Sequence, residues 1–546
     1  MAVDTNLAFR NYDRKVLYSC PAFEVVQCEW KKNSSSPMHN HGSSDCYVLV
    51  EEGLFEESVR SGLEISTSFR KSGQVIHTPP FSSHDLICKS DYARTVHVYV
   101  PPLSKDQLGN RFSSPDQSEK LNFFEPLSRP GISRDAFSSL LDEVRNQSVS
   151  VHSEYFMNQL FSGLLPESIA VSRIVASTKA TLATREASPV FSLAENEVVF
   201  ALSQALGWDP RKSNGLAVPG GSAANFMGLH CARQRVLPSA RDEGNQGHRF
   251  RVFVSEESHY SWKKGCLALG FGLNAAIPIR ADARGRLIPE QLQVELTKSR
   301  LRGEVPLLVG ATAGTTVTGA FDPIREMHSV CRDQDVWLHV DAAWGGPAIF
   351  SNSAKHLMNG VELADSLSFD AHKLLGASLT SSIFITQHKH ILLEANDVAA
   401  TYLFHDNEDF GDRGRLSWQC GRPADAFAFW SIWKRYGSDG FGRFIDRQMD
   451  LQKSFVQLLK ESGPRIKLLH EPEFLNVCVQ VLPPEDQQDV ASWSRHVRQS
   501  LLESNQAMIN FSVNPQGVSF LRFILAHPHL EIVQLRKIVQ WALEVQ

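Results

Sequence analysis

A lysine near the middle of the chain, Lys373 in the stretch Ser368–Gly376, has the setting of a reactive amine. Lys373 has an apolar setting between a predicted strand over 364–369 and a turn of small residues. A lysine in such a place either reaches its ammonium out to water or acts as a nucleophile that forms a Schiff base with a carbonyl group. For the second reading to hold, other segments must supply the rest of a site.

Two further side chains stand at predicted strand ends. Asp341 ends a predicted buried strand over 336–341 without an obvious partner, and a buried carboxylate needs one. A protonated pyridine nitrogen would serve, and the pairing would keep the ring cationic, so that it acts as an electron sink. His259 follows a predicted strand over 250–254, where an imidazole can either stack on a flat ring or have a structural role.

Two loops of small residues complete the pattern. Residues 219–225 place glycines and Ser222 before a predicted helix, whose start offers N–H groups and a positive dipole end to a phosphate. Residues 310–322, with Thr315, follow a predicted strand at the edge where open α/β sheets bind ligands. A lysine, a carboxylate, a histidine and a phosphate loop together indicate a site for pyridoxal phosphate.

A second kind of site is indicated near the N-terminus. His39 and His41 are two residues apart, so on a strand they share a face, and His84 follows in a later segment with glycine and prolines. Three neutral imidazoles suit Fe(II) or another divalent ion with open positions. A lone His-x-His pair is also compatible with a surface or structural role, and His77 competes for the third position.

Residue patterning divides the chain into regions that would position these groups. Short alternating strands up to about residue 113 predict an all-β barrel or sandwich. A polar linker and an arm helix follow, over 114–150. From residue 151 strands alternate with helices, which predicts an α/β fold with a mostly parallel sheet. Helix starts are predicted at a capping box, Ser192 with Glu195, and at Asp322 followed by Pro323.

The composition excludes several classes of protein. With 546 residues, 42% hydrophobic, 21% charged and a formal net charge of −5, it is that of an ordinary soluble protein. The charge favours neither a nucleic acid nor a membrane surface as partner. The N-terminus lacks a basic-then-apolar signal, and no apolar run is long enough to span a membrane. Nine scattered cysteines predict free thiols in a reducing cytoplasm.

The order of phosphate loop, histidine, threonine loop, aspartate and lysine over residues 120–545 resembles the pyridoxal-phosphate-dependent decarboxylases of the glutamate and cysteine sulfinate group. The resemblance implies a fold type I (aspartate aminotransferase-like) large domain, a small C-terminal α+β domain and a homodimer. The cofactor contacts that it implies are Ser222, Ala223, His259, Thr315, Asp341, His372 and Lys373. The implied substrate contacts are Gln159, Phe161 and Arg522, and the implied catalytic proton donor is Tyr402. The resemblance also makes His259 and Lys373 catalytic. The chain departs from familiar members at Asp370 and Ala371, where they have Asn-Pro.

Residues 10–103 resemble cysteine dioxygenase, an iron enzyme with the cupin fold, and Cys46 replaces the usual cupin glutamate. The resemblance implies an all-β cupin barrel with iron on the three histidines at 39, 41 and 84. It places Arg14 and His97 at the substrate, and it makes Cys46 and Tyr99 catalytic partners that form a thioether cross-link.

Both resemblances together predict a bifunctional enzyme. Its parts would be a cupin domain over 1–113, a linker and arm over 114–150, a cofactor-binding large domain over 151–420 and a small domain over 421–546. The first domain would oxidise cysteine to cysteine sulfinate, and the large domain would decarboxylate that product to hypotaurine. Two alternatives stay open: the substrate is aspartate or glutamate, or residues 1–113 are a non-catalytic binding or assembly module.

Overall fold

The computed structural model describes residues 12–19, 23–40, 44–61, 64–78, 83–100, 131–161, 163–405, 411–485, 487 and 489–546. The chain divides into two compact units. The first unit comprises Met1–Asn158, Val481–Leu521 and His529–Gln546, and the second comprises Gln159–Gln480 and Arg522–Pro528. The predicted domain boundaries after residues 113, 150 and 420 stay predictions.

Strands and helices are numbered here along the chain. The strands are β1 (Tyr12–Ser19), β2 (Glu24–Lys31), β3 (Ser35–Asn40), β4 (Asp45–Glu52), β5 (Leu54–Ser61), β6 (Glu64–Lys71), β7 (Val75–Thr78), β8 (Ser83–Cys88), β9 (Tyr92–Val100), β10 (Phe156–Met157), β11 (Asn214–Val218), β12 (Phe250–Ser255), β13 (Ala276–Ile279), β14 (Val305–Thr312), β15 (Trp337–Asp341), β16 (Ser366–Asp370), β17 (Ser382–Thr386), β18 (Ile466–Leu468), β19 (Asn476–Val481), β20 (Met508–Val513) and β21 (Ser519–Ile524). The helices are α1 (Arg134–Gln147), α2 (Pro166–Thr178), α3 (Pro189–Ala205), α4 (Gly221–Val236), α5 (Ala240–Glu243), α6 (Ser261–Ala268), α7 (Pro289–Leu301), α8 (Ile324–Asp333), α9 (Ala371–Leu374), α10 (Ile391–Asn396), α11 (Ala426–Glu461), α12 (Trp493–Glu503) and α13 (Ile532–Glu544).

The N-terminal part of the first unit consists of two antiparallel sheets, with strand orders β1-β2-β9-β4-β7 and β3-β8-β5-β6. The prediction of β-structure is therefore confirmed for the described residues of this region, while closure into a cupin barrel stays a prediction. Alternation sets the core, because successive side chains of a strand point to opposite faces. In β4, Cys46, Val48 and Val50 are buried, whereas Tyr47 and Leu49 are exposed.

A seven-stranded sheet, of order β11-β17-β16-β15-β14-β12-β13, forms the centre of the second unit. β13, β12, β14, β15 and β16 are parallel, and β17 is antiparallel to both of its neighbours, as the mostly parallel α/β prediction requires. Every residue of β11, β15, β16 and β17 is buried, as expected for strands covered on both faces. The carboxyl ends of β12, β14, β15 and β16 therefore meet at one edge.

Two predicted helix starts differ from the structure. α3 begins at Pro189, ahead of the predicted capping box, and the buried Glu195 binds Arg413 and Arg422. Asp322 does not cap α8; its carboxylate accepts hydrogen bonds from the backbone N–H groups of Leu287 and Thr312, each at 2.7 Å. In both cases the carboxylate that was predicted to cap the helix binds groups outside that helix instead.

The longest helix is α11, with 36 residues, and its geometry is interrupted at Gly437, where φ is 66°. Charged residues recur along it. Across the described ranges, no helix has both the length and the apolar character needed to cross a lipid bilayer.

Candidate active site

Asp341 lies at the carboxyl end of β15, is 6% exposed and has its partners in place. Its Oδ2 accepts a hydrogen bond from Asn225 Nδ2 at 2.7 Å, and its Oδ1 accepts from Ser368 Oγ and from the N–H of Ala343, each at 3.2 Å. Burial by itself raises the pKa of this carboxyl, but Lys373 and the Asn225 amide outweigh burial and lower it. Asp341 is therefore an anion held deep in the sheet.

A chain of hydrogen bonds runs behind Asp341. Burial lowers the pKa of His339 to about 4, so its ring is neutral and carries one N–H. His339 Nε2 lies 3.1 Å from Asn225 Oδ1, which can only accept, so Nε2 donates and Nδ1 accepts from Ser366 Oγ at 2.7 Å. Trp337 Nε1 donates to that same Ser366 oxygen at 2.8 Å. The chain fixes the Asn225 amide with its N–H groups toward Asp341.

Lys373 lies in α9, the short helix that follows β16, and its side chain is 22% exposed. Its Nζ is 3.2 Å from Oδ2 of Asp370, which is 1% exposed. His372, next to Lys373, is buried and accepts a hydrogen bond at Nδ1 from the N–H of Ser381 at 3.1 Å. Burial lowers the pKa of His372, so this ring is neutral at physiological pH.

His259 and the start of α4 stand at the same strand-end edge. His259 follows β12, and its Nδ1 accepts from the N–H of Ser261 at 3.2 Å. Burial lowers the pKa of His259, although Asp341 opposes this, so the ring stays neutral. At the start of α4, Gly220 has φ of 96°, Ser222 is exposed and Ala223 is half-buried. Open N–H groups at a helix start of this kind can hold a phosphate.

Arg522 contacts the loop after β14 that contains Thr315. Arg522 Nη1 donates to the carbonyl oxygen of Thr316 at 2.9 Å, and burial lowers the pKa of its guanidinium. The Thr315 hydroxyl lies 2.8 Å from Thr318 Oγ1 and accepts from the N–H of Ala320 at 3.0 Å. Asn476 holds the same loop by donating to the carbonyl oxygens of Thr316 and Val317.

The remaining predicted positions of the second unit lie on more open segments. Gln159 is exposed and Phe161 is half-buried. Tyr402 is 85% exposed. A cleft of about 420 Å³ next to it is lined by Thr184, Arg185, Glu186, Pro189, Leu403, His405 and Asp412, a set that does not include Lys373 or Asp341.

The residues gathered around Asp341 and Lys373 fit pyridoxal phosphate. Asp341 supplies the buried anion that a pyridinium nitrogen needs, and the neutral His259 suits stacking on a ring. A Cβ on Gly220 would have no atom within 4 Å, so the turn before α4 leaves room for a phosphate, and Lys373 supplies the amine. The sequence did not single out Asn225 or Asn476 individually, because only the folded chain brings them to Asp341 and to the Thr315 loop.

In the first unit, a buried polar row runs along β9. Trp30 Nε1 donates to Thr95 Oγ1 at 2.9 Å, Thr95 Oγ1 lies 2.9 Å from His97 Nε2, and Tyr99 Oη lies 3.3 Å from His97 Nδ1. Cys46 is directly opposite Tyr99 across the β4–β9 pairing. Burial raises the pKa of the Cys46 thiol and that of the Tyr99 phenol, so both are protonated.

The predicted metal ligands are described only in part. His84 is fully buried, with Nδ1 3.1 Å from Thr78 Oγ1 and 3.6 Å from Glu57 Oε1. The backbone of His39 is opposite that of His84 in the β3–β8 pairing, whereas the His39 side chain and all of His41 lie outside the described residues. Within the described ranges, no group of three or more His, Cys, Asp and Glu side chains is placed to hold a metal ion.

Two other residues of this region lie on opposite faces of one sheet. The competing ligand candidate, His77, is on the outer face of β7, where it stacks on Tyr47 with ring centroids 4.5 Å apart and lies 2.8 Å from Asp45 Oδ1. Arg14, predicted at the substrate carboxylate, is opposite the buried Cys28 in the β1–β2 pairing and so is on the inner face of the sheet. It forms an ion pair with Glu24 at 3.1 Å.

Residues 130–482 match the pyridoxal-dependent decarboxylase conserved domain. The chain is similar to cysteine sulfinic acid decarboxylase of Homo sapiens, with 35% identity over 397 residues, which cover 70% of this chain and 80% of that protein. It is similar to the acidic amino acid decarboxylase GADL1 of Mus musculus, with 34% identity over 430 residues, which cover 76% and 78%. The crystal structure of mouse CSAD matches with a TM-score of 0.76 and 31% identity, covering 80% of this chain and 93% of that one, which confirms the predicted large-domain fold. The chain belongs to the family of pyridoxal-dependent decarboxylases.

Proposed function

We propose that the second unit decarboxylates a short acidic amino acid, with cysteine sulfinate as the preferred substrate. The observation that carries this proposal is the buried Asp341 anion at a strand end, with Lys373 close enough to lower its pKa. The names of the similar proteins, a cysteine sulfinic acid decarboxylase and an acidic amino acid decarboxylase, support the substrate class. Aspartate and glutamate are the competing substrates.

The residues divide the work of holding cofactor and substrate. Pyridoxal phosphate, when bound, supplies an electron sink for the pair left by the broken bond to CO₂. Lys373 would hold it covalently, Asp341 its ring nitrogen, Ser222 and Ala223 its phosphate, and His259, Thr315 and His372 would line it. Arg522 would bind the α-carboxylate, with Gln159 and Phe161 on the side of the acidic group. Tyr402 would deliver a proton to the carbon that loses CO₂.

Tyr402 also bears on assembly. A general acid must lie within hydrogen-bond reach of the carbon that it protonates, yet Tyr402 is 85% exposed. We therefore infer a homodimer, or closure of the Tyr402 segment, as the arrangement that completes the site. The eight described cysteines are all free, which suits the reducing cytoplasm inferred from the sequence.

The cofactor assignment is tested by borohydride reduction. Purified protein should carry a chromophore that borohydride bleaches, and peptide mapping should place the reduced adduct on Lys373. Lys373→Ala should lack the adduct, while Lys389→Ala, which removes another lysine of the same unit, should keep it. An adduct retained in Lys373→Ala would show that another lysine holds the cofactor.

The substrate proposal is tested by competition among cysteine sulfinate, aspartate and glutamate. One misfitting methylene is worth about 1–3 kcal/mol, or roughly 10–200-fold in kcat/KM, so glutamate should be turned over more slowly by that factor. Phe161→Ala should reduce the difference in kcat/KM between cysteine sulfinate and glutamate. Phe200→Ala, at an exposed phenylalanine of the same unit, should leave that difference unchanged. Equal or faster turnover of glutamate would contradict the sulfinate preference.

A second function is proposed for the first unit: oxidation of a thiol to a sulfinate, with both atoms of O₂ entering the product. It is supported by the cross-strand Cys46–Tyr99 pair and by the backbone of His39 opposite that of His84. Fe(II), when bound by His39, His41 and His84, would activate O₂. The Glu57 carboxylate lies beside Nδ1 of His84, as the carboxylate partner of a metal-binding histidine does. A metal would therefore bind His84 through Nε2.

Metal analysis separates this function from a non-catalytic module. His84→Ala should lose most of the iron, whereas His77→Ala, on the outer face, should keep it. Wild-type protein should consume O₂ with cysteine and release cysteine sulfinate. A thioether between Cys46 and Tyr99 would make the intact mass two hydrogens lighter, and Tyr99→Phe would abolish that difference. Iron-free protein without thiol-dependent O₂ uptake would assign residues 1–113 to binding or assembly.

A further inference from the structure

A second buried carboxylate, Asp370, stands beside Lys373 and has no part in the roles given so far. It is 1% exposed at the end of β16, and its Oδ2 lies 3.2 Å from Lys373 Nζ. Its Oδ1 accepts a hydrogen bond from Ser382 Oγ at 2.5 Å. The Ser382 hydroxyl thus fixes one carboxylate oxygen and directs the other toward the amine.

The close approach of Gly221 shows that the fold reserves space for this carboxylate. A Cβ on Gly221 would lie 2.7 Å from Asp370 Oδ2 and 3.1 Å from Oδ1. The glycine of the phosphate loop is therefore required by the aspartate side chain as well as by any approach of a phosphate. A larger residue at 221 would push the carboxylate away from Lys373.

We propose that Asp370 is the proton acceptor for Lys373 when this amine bonds to an aldehyde carbon. An ammonium has no lone pair, so Lys373 must lose a proton before it can attack. Asp370 Oδ2 takes that proton, and the N–C bond forms as the aldehyde oxygen becomes a hydroxyl with a second proton from Nζ. Asp370 then returns its proton to the hydroxyl, which leaves as water. The remaining imine nitrogen carries the third proton and the positive charge, and the Asp370 anion is restored beside it.

His372 and Asp341 are poorer candidates for this step. His372 Nδ1 already accepts a hydrogen bond from the N–H of Ser381, so the proton of its neutral ring is on Nε2. This Nε2 lies 3.8 Å from Asp370 Oδ2 and has no lone pair left to accept a proton. Both oxygens of Asp341 accept hydrogen bonds from Asn225, Ser368 and Ala343, and its charge is needed at the ring nitrogen. Asp370 is the carboxylate whose oxygen lies within hydrogen-bond distance of Nζ.

The proposal rests on Lys373 as the cofactor lysine, and its test measures cofactor capture by cofactor-free full-length protein. Pyridoxal phosphate is added, capture is followed by absorbance, and the final adduct is mapped after borohydride reduction. Because general base catalysis contributes typically 10²–10⁴-fold, Asp370→Asn should capture the cofactor at least about 10²-fold more slowly at neutral pH. Its rate should rise with pH as hydroxide replaces the lost base. Ser382→Ala, which keeps the carboxylate, should slow capture far less.

Two readouts distinguish a proton acceptor from a structural residue. Formate should restore much of the capture rate to Asp370→Ala, which leaves room for a small carboxylate, and should leave wild type unchanged. Circular dichroism of the variants should match wild type. Capture by Asp370→Asn at the wild-type rate and with the wild-type pH profile would overturn the proposal. An adduct absent from Lys373 in wild type would instead overturn the lysine assignment, and this inference with it.

Discussion

The two candidate sites bring their polar groups together by different geometry. In the first unit, antiparallel strands do so by register, since Cys46 faces Tyr99 and the backbones of His39 and His84 are opposite each other. In the second unit, Asp341 and Asp370 stand at the carboxyl ends of the parallel strands β15 and β16. Lys373 follows directly in α9.

Function and stability are coupled differently in the two units. Cys46 and Tyr99 are members of the hydrophobic core between strands, so a change to either alters packing. Asp341 and Lys373 are at strand ends, where loops and helix starts surround them. We therefore expect substitutions in the first unit to change stability, and those at the strand ends of the second unit to change activity.

The largest expected effect comes from a buried carboxylate of the second unit that is away from the strand-end site. Glu195 Oε2 binds Arg413 Nε at 2.5 Å and Glu195 Oε1 binds Arg422 Nη2 at 2.5 Å. Glu195→Gln leaves two buried guanidinium groups without their anion, which costs about 3–5 kcal/mol in the free energy of unfolding. Urea titration measures it, and Glu197→Gln, at a carboxylate with 49% exposure, should change little. An unchanged urea midpoint in Glu195→Gln would contradict the claim that these buried ion pairs stabilise the fold.

Asp341→Asn should change activity more than stability. Loss of the anion should reduce decarboxylation by about 10²–10³-fold, the usual cost of a lost electrostatic group in a site. The urea midpoint should fall less than in Glu195→Gln, because the cation near Asp341, Lys373, is 22% exposed and still has Asp370 Oδ2 at 3.2 Å as an anion. Steady-state kinetics with saturating pyridoxal phosphate measures the effect, with Asp335→Asn, 87% exposed, as the control. A variant that loses stability but keeps activity would contradict the separation of the two properties.

In the first unit, Glu57→Gln should change stability in a way that depends on pH. Arg70 Nε lies 2.7 Å from Glu57 Oε2, and His84 and Arg70 together outweigh burial and lower the pKa of Glu57 below its usual 4.5. A lowered folded-state pKa stabilises the fold above that usual value, and the stabilisation is lost as pH falls through the folded-state value. Glu57→Gln should cost about 1–3 kcal/mol at pH 7, and less as the pH falls below the usual value of 4.5. Urea midpoints of both proteins across this range should converge; a constant difference would exclude the charge as the cause.

The smallest effect is expected from Tyr99→Phe. It removes a phenol that contacts His97 Nδ1 at 3.3 Å and keeps the ring in the core. A neutral hydrogen bond is worth about 0.5–1.5 kcal/mol, so the first unit should lose roughly 1 kcal/mol of stability. Thermal unfolding of the full chain, without added free cysteine, measures this loss of stability. Tyr92→Phe, at an exposed tyrosine of the same strand, is the control. Decarboxylation of cysteine sulfinate should be unchanged in both variants.

Much of the architecture was predictable because it depends on local patterns. Alternation over two residues predicted the strands of the first unit, and in the folded chain the same alternation places Cys46, Thr95, His97 and Tyr99 on the buried side. The order of strand-end motifs predicted the decarboxylase family and the edge that gathers Asp341 and Lys373. These features follow from the period of a strand and from the common direction of parallel strands, which the sequence itself contains.

Other features depend on which segments meet in the folded chain. The capping box at Ser192 and Glu195 was predicted wrongly, because two arginines distant in sequence take the carboxylate. Nothing local links Asn225 to Asp341, or Gly221 to Asp370, since these pairs form only when α4 packs on β15 and β16. Local patterns thus specify the kinds of polar groups and the strands that carry them. The pairing of each donor with its acceptor depends on the folded chain, because distances of about 3 Å between remote side chains are set by packing and by the register of strands.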